Sequence, residues 1–124
     1  MPKDPPHISQ AEWEVMSVLW DRGPLSLPEI IAAVSESSSW HPNTIKTFVH
    51  RLVQKGAVDT VGQFGSYRYV SRLTRAECLH AENRSFLDRL YGGRLKPMLV
   101  ALLQHEDLTP DDIAELKAIL ERKE

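Results

Sequence analysis

The chain has 124 residues, 42% hydrophobic and 26% charged, with a net charge of −2 at pH 7. This is the composition of one small globular domain, or of a small domain with an oligomerisation appendage, and it excludes a disordered chain. Charged residues interrupt every apolar stretch short of a membrane span, and Met1-Pro2-Lys3-Asp4-Pro5-Pro6 has no apolar signal core, so a cytoplasmic protein without membrane association is expected. The one cysteine, Cys78, allows neither an internal disulfide nor a cysteine zinc site.

In chain order, Ser9-Gln10-Ala11-Glu12 reads as a capping box, in which Ser and Glu satisfy each other's free backbone donors at a helix start. The helix it opens places Trp13, Met16, Leu19 and Trp20 on one stripe and ends near Gly23-Pro24. Ser26-Leu27-Pro28-Glu29 is a second capping box, for a shorter helix facing inward through Leu27, Ile30, Ile31 and Val34. A serine-rich connection from Ser35 to Trp40 follows. Pro42 suits the first position of a third helix, where its missing N–H costs no hydrogen bond. Ile45, Phe48, Val49, Leu52 and Val53 form the buried face of that helix, and Lys55-Gly56 closes it. Two short strands, Val58–Val61 and Tyr67–Val70, flank the glycine-bearing turn Gly62-Gln63-Phe64-Gly65-Ser66. Three helices and a hairpin in this order predict a winged helix-turn-helix.

The second half is helical. Thr74-Arg75-Ala76-Glu77 is a third capping box, opening a long helix through Leu79, Phe86, Leu87 and Leu90 that Tyr91-Gly92-Gly93 breaks. Leu95, Met98, Leu99, Leu102 and Leu103 mark the next helix, with Pro97 confined to its first turn. Leu108-Thr109-Pro110-Asp111-Asp112 supplies a staple residue, an N-cap, a first-turn proline and acids suited to the positive helix end. The last helix carries Ile113, Leu116, Ile119 and Leu120. Three helices with one apolar stripe each have little common core, so they either wrap back on the winged part or pack against a second copy, and the second copy is the favoured expectation. The predicted dimer contacts are Leu79, Phe86, Leu87, Leu90, Leu95, Leu99, Leu102, Leu103, Ile113, Leu116 and Leu120. The fold expected is mainly α with a small β-hairpin wing: a winged helix-turn-helix over 1–73 and a three-helix dimerisation domain over 74–124.

Charge is unevenly distributed. From His41 to Arg75, Lys46, Arg51, Lys55, Arg68, Arg72 and Arg75 are opposed only by Asp59, whereas acids predominate on both flanks. A basic middle between acidic flanks predicts a localised anion-binding face. Opposite the apolar stripe of the third helix stand Asn43, Thr44, Lys46, Thr47, His50 and Arg51. Asn, Thr and Lys at a helix start can reach base edges in the major groove, so Asn43, Thr44, Lys46 and Thr47 are the leading base contacts, with His50 and Arg51 behind them. Lys55 is a candidate phosphate contact and Arg68 a phosphate or minor-groove contact. Arg72 and Arg75 have the alternative of pairing with carboxylates on the long helix. Trp20 reads as core, and Trp40 as packing under the third helix or offering its indole N–H to a phosphate. The scattered histidines predict no metal site, and Cys78 reads as packing or as a thiol switch. No phosphate loop, nucleophile elbow or paired-histidine motif is present, so neither an enzyme nor a cofactor is expected. Two other readings stand beside DNA binding: a winged helix that binds protein through a merely solvated third helix, and a regulator holding a small molecule between its two halves.

The stretch Ile8-Ser9-Gln10-Ala11-Glu12-Trp13-Glu14-Val15-Met16 with Leu19-Trp20 resembles the opening of the BlaI/MecI family of penicillinase and methicillin-resistance repressors. So do Trp40-His41-Pro42-Asn43-Thr44-Ile45-Lys46-Thr47 with Arg51-Leu52 and Lys55-Gly56, and the late segments Tyr91-Gly92-Gly93 and Glu106-Asp107-Leu108-Thr109. The resemblance spans nearly the whole chain. It implies an N-terminal winged helix, a C-terminal dimerisation domain, a palindromic double-stranded operator, and release when a regulatory protease cuts the dimerisation domain. The family's scissile Asn-Phe pair falls near Ala101-Leu102, where this chain has neither residue. The cysteine cluster of a copper-responsive branch is likewise absent.

Overall fold

Side-chain caps set all but one of the helix starts, the exception being the helix that begins at Leu95. A computed structural model describes residues 6–63 and 65–123, with α1 over Gln10–Arg22, α2 over Leu27–Ser35 and α3 over Pro42–Gln54. Strands β1 (Val58–Val61) and β2 (Arg68–Ser71) follow, then α4 (Arg75–Tyr91), α5 (Leu95–His105) and α6 (Pro110–Glu121). Ser9 Oγ accepts from the Glu12 N–H at 3.1 Å while Glu12 Oε1 accepts from the Ser9 N–H at 2.9 Å. The same reciprocal bonds join Ser26 to Glu29, Thr74 to Glu77 and Thr109 to Asp112. Each box satisfies backbone donors that a helix start leaves without partners.

The core of the winged part is built from one face of each of its first three helices. Val15, Met16 and Leu19 of α1, Ile30 and Val34 of α2, and Ile45, Val49 and Leu52 of α3 are all buried, with Val58 of β1. The buried face of α1 is rotated from the expected stripe. Glu12, Val15, Met16 and Leu19 face inward, while Trp13 and Trp20 sit half-buried at its edge, edge to face at 5.2 Å. In α2, Ala33 is buried with Ile30 and Val34, and Leu27 and Ile31 pack around them.

The hairpin pairs Val58 with Ser71 and Val61 with Arg68, antiparallel. β2 therefore lies one residue later than expected, because the Arg72 N–H continues the pairing to the Ala57 carbonyl at 2.9 Å. Gly62 turns the chain at φ 101°, and a Cβ there would meet the Ser66 carbonyl oxygen at 2.9 Å, so only glycine fits without a shift. Backbone bonds between Leu25 and Tyr69 (2.7 and 3.2 Å) tie the wing to the loop between α1 and α2.

Two compact units divide between Asn83 and Arg84, inside α4, later than the boundary expected at residue 73. The first turns of α4 belong to the winged unit because Cys78, 1% exposed, joins its apolar cluster. Burial pushes the Cys78 thiol up, and Glu77 and Glu82 add to the shift, so the residue is packing and not a poised thiolate. In the C-terminal unit the Gly93 N–H closes back on the Leu87 carbonyl at 3.1 Å. Neither α5 nor α6 contains a buried residue. Among the described residues no helix is long and apolar enough to cross a membrane, and no cluster of His, Cys, Asp or Glu could hold a metal ion.

Candidate nucleic-acid interface

Helix α3 is held at both ends and along its inner face. His41 caps it, its Nδ1 accepting from the Asn43 N–H at 3.0 Å, and Pro42 occupies the first turn. At the other end Lys55 is the cap residue and Gly56 takes φ 82°. The Gly56 and Ala57 N–H groups then return to the Val53 and Leu52 carbonyls, both at 3.0 Å, in a Schellman closure. Ile45, Val49 and Leu52 bury the inner face. Trp40 packs edge to face on Phe48 at 5.3 Å, so it supports the helix from below.

The predicted base-reading residues lie together on the other face. Asn43, Lys46, Thr47, His50 and Arg51 are exposed and Thr44 is half-buried. Thr47 Oγ1 donates to the Asn43 carbonyl at 3.0 Å, which leaves its lone pairs and methyl group for an outside partner. This face presents amide, hydroxyl, imidazole and cationic groups from one rigid element.

The basic window is largely neutralised by acids that the fold brings to it. Arg68 Nη1 lies 3.2 Å from Glu29 Oε1 of α2, and Arg72 Nε lies 3.2 Å from Asp59 Oδ2 of β1. Arg75 Nη2 lies 2.9 Å from Asp21 Oδ1 of α1 and its guanidinium stacks over Trp20. Arg72 and Arg75 thus pair, but with β1 and α1 and not with the long helix. Lys55 Nζ donates to Glu12 Oε1 at 2.5 Å and to the His7 carbonyl at 2.9 Å. Both bonds draw its ammonium against the start of α1 and the segment before it. Among the described residues, Lys46 and Arg51 are the cations of the window that form no ion pair.

Two carboxylates respond to this pairing. Burial pushes Glu12 up, but hydrogen bonds from Lys55 and Ser9 and the Lys55 charge outweigh it, and the carboxyl is held below its ordinary value. The Ser26 backbone and side chain, followed by Arg68, hold the Glu29 carboxyl low. Glu12 is more than a cap. Its place at i, i+3, i+4, i+7 with Val15, Met16 and Leu19 put a carboxylate on an apolar stripe, a signal that it needs a buried cationic partner.

A groove of about 570 Å³ beside the wing is lined by Leu19, Trp20, Asp21, Val70, Leu73 and Arg75, among others. Its polar groups are engaged internally: Asp21 with Arg75, and Trp20 Nε1 with Ser71 Oγ and the Leu73 carbonyl.

A family model described as penicillinase repressor matches residues 8–122. The chain is similar to the penicillinase repressor of Bacillus licheniformis, 35% identical over 116 residues that make up 94% of this chain and 91% of that protein. It is also similar to the methicillin resistance regulatory protein MecI of Staphylococcus aureus (strain N315), 32% identical over 116 residues, 94% of each chain. Two solution structures align with it: the DNA-binding domain of the repressor BlaI (TM-score 0.54) and the monomeric form of B. licheniformis BlaI in complex with the blaP half-operator (TM-score 0.53). Each is 35% identical and covers 62% of this chain and 93% of its own.

Proposed function

Because the chain belongs to the penicillinase repressor family, a family of regulators and not of enzymes, we propose that it is a DNA-binding transcriptional repressor occupying a palindromic operator as a homodimer. The observation that carries this reading is the outer face of α3. It holds Asn43, Thr44, Thr47 and His50 beside Lys46 and Arg51, the cations of the basic window left without an ion pair among the described residues. In this reading α3 enters the major groove. Asn43, Thr44, Lys46 and Thr47 meet base edges, His50 and Arg51 lie behind them, and Arg68 reaches the backbone or the minor groove from the wing.

Support for a dimer comes from the C-terminal helices. Leu90, Leu95, Leu99, Leu102, Leu103, Ile113, Leu116 and Leu120 all remain exposed in the single chain, and so do Leu79 and Phe86. Leu87, at 7% exposure, is already buried without a partner. Two recognition helices related by a two-fold axis fit half-sites about 34 Å apart. Loss of the dimer releases the operator, because each half-site alone binds far more weakly. Ala101 and Leu102 lie in the middle of α5, so a protease acts there only after that helix opens.

A footprint on the DNA upstream of the protein's own coding sequence tests the proposal. Protection of a palindrome that weakens steeply with salt is expected. Absence of protection there, together with no salt-sensitive binding to any palindrome, overturns it.

A further inference from the structure

Among the described residues, Glu12 is the charged side chain that the fold buries, at 2% exposure. Capping does not require this. Glu29, Glu77 and Asp112 perform the same capping task from exposed positions. Glu12 Oε1 accepts both the Ser9 N–H at 2.9 Å and the Lys55 ammonium at 2.5 Å, while Oε2 is buried with no hydrogen-bond partner among the described residues. Lys55 also donates to the His7 carbonyl, so three parts of the chain meet at one ammonium group: the segment before α1, the first turn of α1 and the C-cap of α3. Burying this charge and leaving one of its oxygens unsatisfied opposes folding, and an apolar pair of similar volume is often as stable or more so.

What an apolar pair does not supply is direction. The hydrophobic driving force is non-directional, and packing alone sets a helix position only through shape, whereas a charge-assisted hydrogen bond adds a preferred length and angle between two named atoms. We propose that Glu12 and Lys55 are positioning residues that fix α3 along and about its axis on the winged core, and so set which base edges Asn43, Thr44, Lys46 and Thr47 can reach. This rests on the reading of α3 as the DNA-reading helix. It removes Lys55 from the phosphate contacts and gives it a role in sequence choice that acts from the far end of the helix.

The test compares wild type with E12Q, K55M and the apolar pair E12L/K55M. The probe is the palindromic duplex that the wild-type protein selects from a random pool, measured against a scrambled duplex of equal length across a salt series. Each single variant is expected to lose preference for the selected duplex by roughly tenfold, about 1.4 kcal/mol, with its salt slope and its binding to the scrambled duplex kept. The apolar pair is expected to regain thermal stability, less the Ser9 capping bond that leucine cannot accept, without regaining the preference, which separates positioning from simple support of the fold. If the singles fail to fold, the apolar pair decides the matter alone, since wild-type preference in that variant overturns the proposal. A fall of about one in the salt slope of K55M, with stronger binding by E12Q, also overturns it, because Lys55 would then be a phosphate contact that Glu12 restrains. If wild type selects no duplex and binds without salt dependence, the DNA reading itself fails and this inference goes with it. Wild-type selection with unchanged preference in every variant overturns this inference alone.

Discussion

Arg68 on the wing and Glu29 in the first turn of α2, 39 positions apart in the chain, meet with Nη1 and Oε1 3.2 Å apart. The same carboxylate oxygen accepts the Ser26 N–H at 2.9 Å, so one side chain starts a helix and holds a cation of the wing. Both partners are about half exposed, and the pair itself stabilises the fold little. Its consequence is for binding, since Arg68 must leave Glu29 or share it to approach a phosphate. Gln keeps the capping geometry but not the charge. E29Q is therefore expected to bind operator DNA a fewfold more tightly, with a salt slope steeper by about one, and R68A to change both in the opposite direction. Anisotropy titrations at several salt concentrations check this. Weaker binding by E29Q in a folded protein would show that the pair orients Arg68 toward the DNA and does not restrain it.

On α3, neighbouring side chains are expected to fail in different ways. Lys46 and Arg51 have no ion pair to compensate their loss among the described residues. A cation that meets only phosphate weakens binding to all sequences alike when it is removed, and lowers the salt slope by about one. R51A is expected to behave in this way. N43A is expected to leave the slope alone and relax choice at one base pair, costing about 1–3 kcal/mol there. Competition among duplexes that differ at single positions separates these patterns. A flat specificity profile for N43A would remove Asn43 from the base contacts.

Signals confined to a few neighbouring residues were legible in the sequence. The capping boxes, the first-turn prolines, the closure at Gly56 and the glycine turn at Gly62 each follow from chemistry within a single turn of chain, and they place every helix and the hairpin. The charge window was harder to interpret, because it counted neighbours along the chain. Asp21 and Glu29 approach Arg75 and Arg68 only through folding, from 54 and 39 positions away. The pairing of Lys55 was hidden for the same reason, since its partner Glu12 lies 43 positions earlier. The polar face of α3 was legible because helical periodicity fixes which residues share a side. What the linear pattern does not contain is how much of the surrounding charge the rest of the fold cancels.

The Glu12–Lys55 pair gives the winged unit a specific acid limb. The folded protein holds the Glu12 carboxyl below the ordinary value of 4.5, so the carboxylate's contribution is full above that value and is lost as pH falls through the lowered one. Protonation leaves a neutral acid facing a half-buried ammonium. Wild type is expected to lose thermal stability from about pH 5 downward, and E12Q to start lower with a flatter acid limb. Parallel acid limbs for the two proteins would place the acid sensitivity in other carboxylates.

The C-terminal unit makes the sharpest quantitative demand. α5 and α6 contain no buried residue, yet Leu102, Leu103, Ile113, Leu116 and Leu120 line them with exposures of 38% to 59%. About half of each surface is already covered in the single chain, so if a second copy covers the rest, each contributes roughly 1 kcal/mol more to the dimer. One carboxylate placed among them should then separate assembly from folding. Leu102→Glu is expected to sediment as a monomer at concentrations where wild type is a dimer, with helical content kept. Its occupancy of a full palindrome should fall steeply, while its weak binding to a single half-site remains that of wild type, because no residue of α3 or the wing has changed. A wild-type protein that sediments as a monomer at micromolar concentration would remove the dimer from the mechanism. A Leu102→Glu variant that stays dimeric would instead move the interface to another face of these helices.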